Sequence, residues 1–235
     1  MNSCIHFILN HLFPTPCALC DELLHDGSRL CASCHALLPF FDDGCEQCGV
    51  TLSPSEGKTC AHCQTQPPAF DRTLTLFRYE KPADHWLQQL KFQQRLHYAP
   101  LLAGLFWQRH QERLQRLNAE CLIPIPLHRK RLRKRGFNQA LELARPLARA
   151  LSLPLNYKAL RRQRDTQQQS KLDAAERPRN VKDAFAWNNK QVPQRVLLVD
   201  DIITTGHTAN SAALTLKQAG VKEVSLLAFA RSQSS

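Results

Sequence analysis

Residues 196–208, Val196-Leu197-Leu198-Val199-Asp200-Asp201-Ile202-Ile203-Thr204-Thr205-Gly206-His207-Thr208, restrict the fold of this chain more than any other stretch. The four apolar residues between Arg195 and Asp200 predict a short strand buried on both faces, as in parallel sheets. Two adjacent carboxylates stand at its carboxyl end, and a Thr/Gly-rich turn follows. Residues 209–219 then carry Ala212, Ala213, Leu216 and Ala219 at helical spacing. Gly220 is placed to close that helix as its C′ residue, and residues 224–229 supply the next strand. Strand, loop, helix and strand make the unit of an open α/β sheet, whose ligands bind at loops off the carboxyl ends of strands.

The atoms of the loop set its chemistry. Thr204, Thr205 and Thr208 offer hydroxyls, Gly206 permits close backbone approach, and a helix start offers unpaired N–H groups. Together they suit an anion such as a phosphate monoester. Asp200 and Asp201 have the wrong charge for a phosphate but accept hydrogen bonds from neighbouring hydroxyls, such as a ribose 2′,3′-diol. A phosphate and a diol side by side describe a ribose 5-phosphate. The bland alternative is a strand-to-helix turn whose Thr and Asp residues only cap, but capping requires neither the doubled Asp nor the doubled Thr. A Walker loop and a dinucleotide fingerprint are excluded, because the Gly-Lys-Ser/Thr ending and the repeated glycines are missing.

Apolar strand, acidic pair, two residues and Thr-Thr-Gly-x-Thr resemble the phosphoribosyl-pyrophosphate (PRPP) loop of type I phosphoribosyltransferases. The resemblance implies that Asp200 and Asp201 hold the ribose hydroxyls and serve catalysis. It implies that Thr204, Thr205, Gly206, His207 and Thr208 hold the 5-phosphate.

The amino-terminal third has a different character. Eight of the ten cysteines form four Cys-x-x-Cys knuckles, Cys17/Cys20, Cys31/Cys34, Cys45/Cys48 and Cys60/Cys63. Gaps of ten and eleven residues within the two halves match tandem zinc ribbons. Two structural Zn2+ ions are expected, on Cys17, Cys20, Cys31, Cys34 and on Cys45, Cys48, Cys60, Cys63; spacing alone also permits an interleaved pairing. A disulfide framework is disfavoured without a secretory signal, and a redox motif is disfavoured by four repeats outside a βαβ context. Closed Cys4 sites have no open position, so they carry no catalysis. His35 and His62 read as surface residues, and Cys121 as a small buried hydrophobe. The two prolines of residues 64–68 mark the boundary between a double zinc-ribbon segment (1–66) and an α/β domain (67–235).

Within that domain, residues 73–79 alternate like a strand, and residues 82–91 and 100–117 read as helices. Leu90-Lys91-Phe92 falls between those helices, with Lys91 expected in solvent. Residues 121–126 form a second buried strand, and helix resumes over 139–151 with Asn138 as N-cap. Between them, six of the seven residues 129–135 are Lys or Arg. Read alone, this is a generic basic or nuclear-localisation patch. Beside the loop, Arg129, Arg131 and Arg135 become candidates to stabilise a departing pyrophosphate.

Pro124-Ile125-Pro126-Leu127, the basic run, and Arg135-Gly136-Phe137-Asn138-Gln139 resemble the ComF family of competence-associated proteins. Arg164-Asp165-Thr166-Gln167, with Arg177, Asn180, Val181 and Phe185, looks like that family's polar insertion. The resemblance implies a zinc-ribbon segment ahead of a type I phosphoribosyltransferase-like sheet with helices on both faces. It implies PRPP with Mg2+ as ligands and a role in natural transformation, with single-stranded DNA and the uptake machinery at the inner membrane as partners. The insertion, residues 161–179, is expected to be mobile when empty and ordered by ligand, shielding the ribosyl centre from water.

A formal net charge of +11 favours a polyanionic partner or substrate. No apolar run reaches the ~18 residues of a membrane span. Residues 1–13 lack a basic n-region and a cleavage site, and read as a short helix lying on the fold. A cytoplasmic protein is expected. Two readings compete: a Mg2+-dependent phosphoribosyltransferase, and a non-catalytic nucleic-acid-binding protein whose PRPP site is regulatory or vestigial. On the second, Phe137 or Trp107 would stack bases.

Overall fold

A computed structural model describes residues 13–53, 57–164 and 184–232. The expected helix over residues 1–13 and most of the polar insertion lie outside them. The cysteine-rich segment has little regular structure: a β1–β2 hairpin (Thr15–Pro16, Leu23–Leu24) and two single-turn helices, α1 (Ala32–Ala36) and α2 (Ala61–Thr65). The knuckles, not a core, organise it.

The remainder is built on a four-stranded parallel sheet in the order β3-β8-β7-β4, from β3 (Arg72–Arg78), β4 (Cys121–Pro124), β7 (Arg195–Ile203) and β8 (Glu223–Arg231). The central strands read as apolar runs because both faces are covered. On one face α3 (Ala83–Gln93), α4 (Tyr98–Arg116) and α6 (Gln139–Leu151) bury Trp86, Phe106 and Leu143 against Leu197, Leu227 and Phe229. On the other, α7 (His207–Gln218) lays Ala209, Ala212, Ala213 and Leu216 on Val196, Leu198 and Leu226. The expected α/β class, with helices on both faces, is what folds.

Details depart from the sequence reading. The last strand before the loop runs through Ile203, so Asp200 and Asp201 belong to its final residues, and α7 starts two residues earlier than expected. Gly220 follows the α7 C-cap in the left-handed region, as expected. Lys91 lies inside α3 and not between helices. The basic run is itself a helix, α5 (Arg129–Arg135), capped at its start by the His128 side chain and closed by Gly136 at φ 84°. Its last-turn cations complement the helix dipole. Asn138 holds the N-cap position of α6, yet its side chain donates to the Ile125 carbonyl and so ties that helix to the end of β4. The insertion opens in a strand: β5 (Leu160–Arg162) pairs antiparallel with β6 (Phe185–Trp187).

The cysteine-rich segment also closes an edge of the sheet. Phe41 N–H donates to Leu76 O at 2.9 Å, Arg78 N–H to Pro39 O at 2.8 Å, and Thr73 N–H to Glu46 O at 2.9 Å. Edge strand β3 is therefore not an open template for another chain.

Candidate functional site

The carboxyl end of β7 gathers the charged groups. Asp201 N–H donates to Asp200 Oδ1 at 2.9 Å, and Ile202 N–H donates to Asp201 Oδ1 at 2.9 Å. Each carboxylate is thus oriented by the amide after it. Asp200 keeps part of its surface in the cleft, but crowding by the surrounding protein raises its pKa well above the usual carboxylate range. The charge of Asp201 and its side-chain hydrogen bond add to that rise, while the Asp201 amide and the Lys91 ammonium oppose it.

Lys91 is the site residue that sequence reasoning missed. It follows Leu87 by one helical turn, and the buried residues of α3 are Ala83, Trp86, Leu87 and Leu90. A lysine on the apolar stripe of a helix was the available signal. Its Nζ also lies 5.7 Å from the centre of the Phe92 ring, which is 70% exposed.

Arg135, on α5, lies within electrostatic reach of Asp201. Burial lowers the pKa of Arg135, the Asp201 charge raises it, and the neighbouring Arg131 charge lowers it. Arg131 and Arg135 are one helical turn apart and partly covered, whereas Arg129, Lys130, Arg133 and Lys134 are exposed. Of the three arginines expected at the site, two sit together and Arg129 stands in solvent at the helix start.

The loop after β7 needs Gly206, which is the α7 N-cap at φ 78°, a region costly for L-residues. Thr205 Oγ1 and His207 Nδ1 lie 3.0 Å apart, Thr204 is exposed, and Thr208 is in the first turn of α7. First-turn amides of a helix have no intrahelical acceptor, so the loop places threonine hydroxyls next to backbone donors of the kind that bind anions. This strand end thus presents two carboxylates, a Thr-Gly turn and the start of a helix, with Lys91 and Arg135 within electrostatic reach of the carboxylates.

A cavity of about 900 Å3 lies elsewhere, between the second knuckle pair, β3 and α4. Three of its acids are engaged in ion pairs, Asp42 with Arg109, Glu46 with Lys58 and Asp71 with Lys217. No residue of the acidic pair or the Thr-Gly loop lines it.

The eight knuckle cysteines form two groups, Cys17, Cys20, Cys31, Cys34 and Cys45, Cys48, Cys60, Cys63, with sulfur atoms within 4.8 Å of one another in each. The pairing is sequential, not interleaved. Sulfurs of Cys20 and Cys31 are 3.8 Å apart and those of Cys48 and Cys60 3.7 Å. A tetrahedron with Zn–S bonds of about 2.3 Å has edges of about 3.8 Å, so the donor sets fit zinc. Main-chain amides support them: Cys31 N–H donates to Cys17 Sγ, and Cys60 N–H to Cys45 Sγ. Burial alone would raise these two thiols, but the amides outweigh it and bring Cys17 to about 6 and Cys45 to about 7. His35 and His62 are exposed, and Cys121 is buried, with burial raising its thiol to about 11. Trp107 and Phe137, expected to be available for stacking, pack against the core and are partly buried.

Known proteins agree with this architecture. The double zinc ribbon domain family matches residues 8–64, and the phosphoribosyl transferase domain family matches residues 138–235. The chain is 33% identical to "Competence protein F" of Haemophilus influenzae, over 94% of this chain and 99% of that protein. It is 32% identical to "DNA utilization protein YhgH" of Escherichia coli K12, over 93% and 97%. Identity to "Competence protein ComFC" of Streptococcus pneumoniae is 26%, over 89% and 90%. The Cys4 geometry and the ribbon match together support structural zinc. Among the described residues, no helix is long and apolar enough to cross a membrane.

Proposed function

The chain belongs to the competence protein F family, and from that premise we propose that it binds PRPP with Mg2+ at the carboxyl end of β7 and handles single-stranded DNA in natural transformation. The observation that carries the reading is the placement of Asp200 and Asp201 at the end of β7, directly before the Thr204–Thr208 loop and the start of α7, with Lys91 and Arg135 from separate helices within electrostatic reach of the two carboxylates. Asp200 and Asp201 accept the ribose hydroxyls, and Thr204, Thr205, Gly206, His207 and Thr208 hold the 5-phosphate. Arg135 and Arg131 face the pyrophosphate, with Arg129 available from solvent. An all-oxygen donor set of carboxylates and ligand oxygens suits Mg2+, which would neutralise charge on the pyrophosphate.

As a phosphoribosyltransferase, the protein breaks the bond from the anomeric carbon to pyrophosphate and forms one to an acceptor. Its arginines stabilise the departing oxygens. The names of the relatives, competence and DNA utilization, favour a second reading in which the same ligand switches DNA handling without turnover. DNA work places the protein in the cytoplasm, near the uptake machinery at the inner membrane. The unit 1–66 then contributes the metal-stabilised part and 67–235 the ligand site, a division that the two family matches support.

Titration calorimetry of PRPP with Mg2+ tests the reading. Micromolar-range binding, lost in Asp200→Asn/Asp201→Asn, is expected. A folded, zinc-loaded wild type that binds no PRPP sinks the ligand assignment. PRPP-dependent pyrophosphate release with a nucleobase or amine acceptor separates turnover from switching.

A further inference from the structure

The cysteine-rich segment covers one edge of the sheet, at β3; the other edge, at β4, is built differently. Residues 153–157 run alongside β4, where Leu122 N–H donates to Pro154 O at 2.9 Å and Asn156 N–H donates to Leu122 O at 2.8 Å. Leu153 and Leu155 pack against the core. Tyr157, the next residue in that alternation, stays 45% exposed. A single aromatic ring left outside is ordinary. Its surroundings are not.

Arg145 Cζ lies 5.9 Å from the centre of the Tyr157 ring, and Lys158 Nζ lies 5.5 Å from it. Arg149, one helical turn after Arg145 on α6, is exposed, and so is Arg161. With Ala148, Ser152, Leu153 and Leu155, the two α6 arginines line an open hollow of about 330 Å3. Residues 143–164 hold six cations, Arg145, Arg149, Lys158, Arg161, Arg162 and Arg164, and no acid. Glu142 pairs with Arg145 at 3.5 Å. Among the described residues, no acid forms an ion pair with Arg149, Lys158 or Arg161. Charge of one sign selects a polyanion. The ring selects among polyanions: a duplex hides its base faces, a lipid surface has none, and a single strand presents bases that stack on exposed aromatic rings.

We propose that Tyr157, with Arg145, Arg149 and Lys158, forms a seat for single-stranded DNA at the β4 edge, where one base stacks on the ring and the cations hold the flanking phosphates. The two cation contacts hold the ring in place, so little side-chain freedom is lost when a base stacks on it. The hollow beside it has an apolar lining and room for a neighbouring base. No residue of the acidic pair or the Thr-Gly loop lines that hollow. This inference rests on the DNA handling proposed above and not on PRPP binding.

Photocrosslinking of an oligodeoxynucleotide carrying 5-iodouracil to the full wild-type chain tests it without a variant, because on irradiation this base couples to an aromatic ring stacked on it. The crosslinked peptide should contain Tyr157. Crosslinks confined to other peptides overturn the proposal and leave DNA handling standing, whereas an oligonucleotide that does not bind at all overturns both. Fluorescence anisotropy gives a second reading. Tyr157→Ala should weaken single-strand binding about tenfold with the salt dependence intact, and Tyr157→Phe should bind as wild type. Arg149→Gln/Lys158→Gln should flatten the log–log salt slope by about 0.7 for each lost contact. All these side chains are exposed, so the variants should melt as wild type does. Equal losses of duplex and single-strand binding in Tyr157→Ala, tighter binding of the matching ribonucleotide strand, or losses confined to anionic vesicles overturn the proposal.

Discussion

The Asp201 amide donates to the Asp200 carboxylate at 2.9 Å, so the backbone that joins these residues also fixes how their charges face one another. Two adjacent carboxylates in a crowded cleft repel, and Asp200 bears the consequence as a raised pKa, first through burial and then through Asp201. The arrangement is unfavourable by itself, and on the proposed reading it becomes favourable when hydroxyl donors and a cation arrive. Stability and binding should therefore respond oppositely to its removal.

Asp200→Asn should stabilise the ligand-free protein at neutral pH. A carboxyl with a raised native pKa holds its proton in the folded chain at pH values where the unfolded chain has lost it. Stability thus falls as pH rises from the unfolded value through the native one, and the loss is complete above the latter. The variant lacks that loss. Its melting temperature should exceed wild type at pH 8, with the gap closing toward pH 4, by roughly 2–4 °C for each kcal/mol. A gap that does not change with pH in scanning calorimetry would refute the account.

Lys91→Met removes a charge that lowers the Asp200 pKa, so the ionised pair should form only at higher pH. The pH midpoint for Mg2+–PRPP affinity should move upward, while affinity well above that midpoint recovers in part. Calorimetry across pH reads this directly, and an unshifted midpoint would make Lys91 a mere packing residue.

How far these features could be read in advance depends on what generates them. The parallel strands, α7 and the Thr-Gly turn were legible because local periodicity, Gly206 and the doubled Asp state them in contiguous sequence. Chelation pairing was not, since tetrahedral closure is a tertiary fact that equal spacings leave open. The basic run carries no apolar stripe to betray a helix; capping by His128 and Gly136 makes it one. Lys91 carried a local signal, its place on the apolar stripe of α3, but Asp200, the group whose charge it favours, lies more than a hundred residues away and nothing nearby in sequence names it.

Gly206→Ala isolates the backbone requirement of the loop. The nearest atom to an added Cβ is Ile203 Cγ2 at 4.0 Å, so there is room for a methyl and only the φ of 78° is strained. A left-handed L-residue costs about 1–2 kcal/mol. The melting temperature should drop by several degrees and PRPP affinity by about tenfold, as the turn relaxes to relieve the strain. Wild-type melting and binding would mean that the turn does not hold the phosphate.

Cys63→Ser should lower bound zinc from two ions to one, by atomic emission, and loosen the edge that the ribbon covers. Arg78 N–H donates to Pro39 O and Thr73 N–H to Glu46 O, both from the cysteine-rich segment. Because metal binding supplies much of the folding free energy of such a segment, about 10–16 kcal/mol in small zinc peptides, these two amides should lose hydrogen-exchange protection. Protection at Leu197 and Leu227 in the sheet core should persist. Retention of two zinc ions by the variant would refute the Cys4 assignment.

DNA handling should separate from ligand binding along α5. Arg133 and Lys134 are exposed, whereas Arg135 faces Asp201. Exposed cations that touch phosphates contribute through counterion release, so Arg133→Gln/Lys134→Gln should weaken single-stranded DNA binding and flatten its salt dependence by about 0.7 in log–log slope per lost contact. PRPP affinity should not change. Phe92 offers the contrasting case, an aromatic ring 70% exposed beside Lys91. Stacking is insensitive to salt, so Phe92→Ala should cost about 1–3 kcal/mol of DNA affinity at every ionic strength with the slope intact. Fluorescence anisotropy with a labelled oligonucleotide, run from low to high salt, measures both quantities in one series. Parallel losses of slope and affinity in all these variants would point to a general collapse of the surface. Distinct signatures would assign phosphate contact to α5 and base contact to the end of α3.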